Sequence, residues 1–177
     1  RYGTAFPHVM MAERPNGDFA HTILRQFFFA AYMNPFWQAM TASADSQLAA
    51  HAGKAVKETA YHIRHSGEWV IRLGDGTDES ASRMAAALDD LAPYIGEMFE
   101  TDETASRLIM AGVLPDPAPV RAAFEDIVAQ TFAMATMPPC DVTAGISGRR
   151  NGRHTEFLGH LLAEMQQMQR AYPGLKW

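Results

Sequence analysis

The sequence predicts an all-α protein: four or five long helices joined by short turns and one extended loop. Three observations carry this. Apolar residues recur at helical spacing through most of the 177 residues, and no run keeps the strict alternation of a strand. The stretch from Ser46 to Leu73 holds that spacing for about 28 residues, or about 40 Å of helix. Cap and stop residues stand between the periodic runs. The nearest strand candidate, WVIRLG, is in phase with the helix before it.

Taken in order, residues 1–15 show no clear period. Pro15-Asn16-Gly17 marks a turn, and Asn16 or Asp18 suits the cap of a helix running to Tyr32. That helix is apolar nearly all round (Phe19, Ile23, Leu24, Phe27, Phe28, Phe29), so most of it should be buried. Asn34-Pro35 is expected to end or kink it, with PFWQAM adding a turn or two. After the polar break at Ser43–Asp45 comes the long helix. Gly74-Asp75-Gly76 should stop it, with a glycine in the left-handed C-cap conformation. Thr77-Asp78-Glu79-Ser80 opens a third helix carrying Met84, Ala87, Leu88, Leu91, Ile95 and Phe99, with a kink expected at Pro93. A short helix over Glu103–Ala111 closes at Gly112. Pro115, Pro117 and Pro119 then release a helix from about Val120 to Ala135. Met137 to Gly152 reads as a loop. The last helix is expected from Arg153 to Ala171, with Leu158, Leu161, Leu162, Met165 and Met168 on one face.

Composition narrows the function classes. Hydrophobic residues make up 47%, enough for one domain spanning 1–177 with a real core. A net charge of -5 with interspersed signs is unlike a nucleic-acid-binding surface. The single cysteine, Cys140, rules out a disulfide framework within the chain and suits the cytoplasm. No apolar window reaches the roughly 18 residues of a membrane span. No signal peptide is visible, and a start at Arg1 without Met points to a missing N-terminal segment.

The candidate chemistry centres on the long helix. On a helical wheel Glu58, His62, His65 and Trp69 fall within about 60°, with His51 on the same stripe. An apolar stripe (Leu48, Ala52, Ala55, Val56, Ile63, Val70) runs beside it. A di-iron carboxylate bundle needs two E-x-x-H units, because residues three apart share a helix face and can reach one metal pair. Asp18-x-x-His21 is a shorter-armed version of such a unit. In the other two positions the step is wrong: Tyr61 follows Glu58 where His should stand, and Gly159 follows Glu156. His62 and His160 sit one residue too far on. His154 falls on the apolar face of the last helix. Asp18, His21, Glu58, His62 and His154 are therefore candidates for a vestigial cluster, hydrogen-bonded rather than metal-loaded. The alternative makes them the ligands of a metal-dependent oxidase.

Other signals are weaker. Gly145-Ile-Ser147-Gly148 does not match a nucleophile elbow. Nothing near Cys140 would activate a thiolate. Arg149, Arg150 and Arg153 lie in a glycine-rich turn read as running into a helix N-terminus, where a phosphate of a nucleotide-like tail, or an acidic partner surface, would be favoured. A solvated basic loop is the plainer reading.

PNGDFAHTILRQF, YHIRHSGEWVIRLGDGTDES and GRHTEFLGHLLAEMQ together resemble the C-type component family of the bacterial phenylacetyl-CoA 1,2-epoxidases, multicomponent monooxygenases of phenylacetate breakdown. The resemblance runs in the same order from about Glu13 to Trp177. It implies a ferritin-like four-helix bundle with extra helices, and a further N-terminal helical segment. It also implies a catalytically silent, structural component with no cofactor of its own, bound to a homologous A-type catalytic component that holds the di-iron site. Contact with the CoA thioester is compatible with that role, as is a homodimer in isolation. Tyr61 and Gly159, standing where histidines would complete the ligand units, agree with it.

Overall fold

The computed structural model describes residues 8–141, 145–148 and 152–174. Among the described residues there are seven α-helices and no strand, an all-α chain consistent with the ferritin-like bundle expected. The helices are α1 (Phe19–Met40), α2 (Ser46–Gly74), α3 (Asp78–Leu91), α4 (Glu103–Met110), α5 (Pro117–Met134), α6 (Phe157–Met165) and α7 (Gln167–Ala171). No described helix is long and apolar enough to cross a membrane. The chain divides into two compact units, Asn16–Ser147 and Arg1–Pro15 with Gly148–Trp177.

In the larger unit α1 lies against α2, α3 and α5. Most of its apolar circumference is buried, at Ile23, Leu24, Phe27 and Phe28, but Phe29 is half-buried and Phe19, in the first turn, is exposed. Phe28 packs against Phe124 and Phe132 of α5, ring centroids 6.3 and 6.1 Å apart. The face of α2 that meets the core is built from small residues. Ala52, Ser66, Gly67 and Val70 are buried, and no side-chain atom lies closer than 3.6 Å to where a Cβ on Gly67 would stand, the Phe27 ring. Small residues let the helix axes approach closely, so dispersion contacts involve backbone as well as side chains.

Pro35 does not end α1, which continues five residues to Met40. A mid-helix proline costs about 3 kcal/mol or more. Here Pro35 is itself buried, and Asn34 beside it ties α1 to α2. The Asn34 amide donates to the Val56 carbonyl and to Thr59 Oγ1, both at 3.0 Å, and its Oδ1 accepts from Gln38 at 2.9 Å. Packing and these bonds offset the proline.

The end of α2 also differs from expectation. Neither Gly74 nor Gly76 adopts positive φ; the helix stops at Asp75, with φ -95°. Gly74 is needed for space instead, because a Cβ there would run into the Ala135 carbonyl at the end of α5. Pro93 breaks the third helix outright: α3 ends at Leu91, and two 3-10 turns, Ala92–Tyr94 and Gly96–Phe99, carry the chain on. α5 starts earlier than predicted, since Asp116 caps it and Pro117 takes the first turn, where its missing N–H costs nothing.

In the smaller unit a 3-10 turn, Met10–Glu13, occupies the segment that showed no period; Met10, Met11 and Glu13 are buried. The helix expected from Arg153 begins only at Phe157 and is interrupted at Gln166. Thr155, just before it, instead gives its N–H and its hydroxyl to Glu13.

Candidate functional site

The Asp18-x-x-His21 spacing does bring its two side chains together, as a helix cap. Asp18 Oδ1 accepts the His21 backbone N–H at 3.0 Å and lies 2.9 Å from His21 Nδ1. Its other oxygen accepts from Arg83 on α3 at 3.1 Å. Hydrogen bonds from the His21 side chain and backbone, with Arg83 behind them, hold this carboxyl well below the usual carboxylate range. Gly17, at φ +61°, lets the chain pass beneath the His21 ring, which a Cβ would strike. Both carboxylate oxygens are thereby committed to cap and ion pair.

Glu58 and His62 do not join them. Both are exposed on α2, as are His51, Tyr61 and His65. The wheel places these residues on one stripe correctly, but the small-residue stripe faces the core and this one faces water. Its contacts are surface contacts: His65 stacks on Tyr61 with centroids 6.1 Å apart, and Trp69 meets Phe19 edge-on at 5.2 Å. A buried polar cluster containing Glu58 and His62 is thus not what the fold builds.

His154 sits in the smaller unit and precedes α6, so it lies on no helix face. Its partner is Glu13, which sequence reasoning passes over. Glu13 Oε1 is 2.7 Å from His154 Nδ1 and 2.7 Å from His8 Nε2. Glu13 Oε2 accepts the Thr155 N–H at 2.6 Å and the Thr155 hydroxyl at 2.7 Å. The two imidazoles stack, centroids 5.2 Å apart and 28° from parallel. The Glu13 side chain is 0% exposed. Burial pushes its carboxyl up, but the bonds from Thr155 and His154 outweigh that and leave it below its ordinary value. One signal is present in the sequence: a lone carboxylate closing the apolar run VMMAE just before a turn is a polar group the fold must bury or spend.

His8 also lines a cavity of about 500 Å³ with Ala12, Leu158, Leu161, Leu162 and Met165. Of the apolar face predicted for the last helix only Leu158 is buried; Leu161, Met165 and Met168 are exposed. Glu156 and His160 are exposed as well. Arg149 and Arg150 lie outside the described residues. Arg153 is exposed and stands four residues before α6, so the basic turn does not run straight into a helix N-terminus. The Cys140 thiol is pushed up to about 11, by burial first and then by Asp141. It is a poor nucleophile at neutral pH.

Among the described residues one set of three His, Cys, Asp or Glu side chains converges closely enough to share an ion: His8, Glu13 and His154. It is distinct from the helix-borne set that the di-iron pattern requires.

The family model described as phenylacetic acid catabolic protein matches residues 1–177. The C component of 1,2-phenylacetyl-CoA epoxidase from Escherichia coli (strain K12) is 41% identical over 172 residues, covering 97% of this chain and 69% of that protein.

Proposed function

We propose a function from the premise that this chain belongs to the phenylacetic acid catabolic protein family. It acts as the C-type component of a phenylacetyl-CoA epoxidase in aerobic phenylacetate catabolism. Its job is structural: it binds the homologous di-iron component and keeps it in active form, without chemistry of its own. The 41% identity to the C component of such an enzyme supports the assembly. The observation that carries the structural role is the dispersal of the candidate ligands. A di-iron centre needs carboxylates and imidazoles from several helices aimed at one point. Here Asp18 is spent as a cap on His21 and Arg83, while Glu58 and His62 are exposed to water. Tyr61 and Gly159 occupy the two positions that histidines would need.

Reconstitution tests this. The catalytic component alone, this chain alone, and the two together are assayed for epoxidation of phenylacetyl-CoA, with gel filtration of the mixture. Co-elution and turnover only in the mixture are expected. Turnover by this chain without its partner would overturn the proposal, as would a catalytic component equally active without this chain.

A further inference from the structure

We infer that His8, Glu13 and His154 form a mononuclear site for a divalent first-row metal ion of the zinc or cobalt class. This does not depend on the assembly proposed above. One ligand atom from each residue lies within 4.8 Å of the other two. Two imidazoles and one carboxylate are a donor set that suits zinc, cobalt, nickel and ferrous iron, and does not suit magnesium or calcium. Thr155 locks the carboxylate by two bonds to Oε2, which leaves Oε1 to face both rings. That is the outer-shell support that orients a ligating carboxylate.

The ligand atoms, all within 4.8 Å of one another, must adjust to accept an ion. Metal–ligand bonds of about 2.0–2.2 Å in a tetrahedral site place ligand atoms roughly 3.3 Å apart. Both imidazole nitrogens now stand 2.7 Å from Glu13 Oε1. Each must withdraw by about half an ångström and present a lone pair where it now presents N–H. His8, its side chain 36% exposed, has room to do so. It also borders the cavity under α6, which gives the ion a way in and leaves the fourth position to water. The site would fasten two segments about 140 residues apart in sequence, Glu13 and His154. The ion would then raise the stability of that unit.

The test uses the full chain, stripped with chelator and titrated with Co2+ while visible absorption and equilibrium dialysis are followed. One saturable equivalent with tetrahedral-type bands is expected. His8→Gln and His8→Asn should each weaken it at least about tenfold while the helical circular dichroism is unchanged. Zn2+ should raise the Tm of the parent and not of these variants. No saturable uptake would overturn the inference. So would uptake equal in parent and both His8 variants, which would place the ion elsewhere, for instance on the exposed His62 and His65. Epoxidation, and a complement of two irons where this site holds one ion, report on the structural role instead, so the two can fail separately.

Discussion

At the scale of single residues, Asp18 shows how a ligand-like spacing becomes a cap. Two side chains three apart on a helix meet whether or not a metal waits for them. Replacing Asp18 with Ala should cost about 1 kcal/mol, the usual loss of an N-cap. The pH dependence follows from its lowered pKa. The folded carboxyl ionises below the unfolded value of about 3.9, so its stabilisation is fully present above that value and is lost as pH falls toward the folded one. In urea melts the gap between parent and Asp18→Ala should hold from about pH 7 to 5 and narrow toward pH 2. A gap that widens in acid would contradict this. Cys140 gives a second residue-scale prediction. Because burial raises its thiol to about 11, it should react with iodoacetamide at pH 8 at least about tenfold more slowly than a small free thiol. Mild urea should bring the rate up.

At the scale of elements, the long helix is legible almost to the residue. The pattern predicts Ser46–Leu73 and the fold has Ser46–Gly74, because both ends carry local signals. The Asp45 side chain accepts from the Gln47 and Leu48 N–H groups, and Gly74-Asp75-Gly76 marks the other end, although Asp75 and neither glycine is the cap. The continuation through Pro35 is not legible. It depends on Asn34 reaching Val56 and Thr59, 22 and 25 residues away, which no local pattern encodes. Asn34→Ala should therefore destabilise by about 1–3 kcal/mol, the cost of losing buried hydrogen bonds between two helices. Thermal unfolding checks it; a loss under about 0.5 kcal/mol, typical of a surface site, would mean the tie is idle. The start of α6 escapes the sequence for a similar reason. Periodicity extends it to Arg153, but the helix begins at Phe157, and Thr155 before it bonds to Glu13, 142 residues earlier in the chain.

At the scale of the whole molecule, the sequence identifies which residues share a face but not which face the core takes. α2 carries two candidate stripes. The small-residue stripe wins because Ala52, Ser66, Gly67 and Val70 let α1 come close, whereas Glu58, His62 and His65 would bring polar groups that need partners. The Glu13 cluster is hidden in the sequence because its members lie far apart in the chain, one of them in a segment without period. Glu58→Ala/His62→Ala should accordingly change stability by no more than about 0.5 kcal/mol and leave assembly with the catalytic component folded and soluble. A large loss of stability would mean those side chains are buried in the protein as it works. The central claim is that this chain keeps the frame of an oxygenase component without its redox centre. Iron per chain, measured by elemental analysis on the protein after separation from its partner, tests it most directly. The account predicts no more than the single ion that His8, Glu13 and His154 could take; about two irons per chain, the complement of a di-iron carboxylate site, would contradict it.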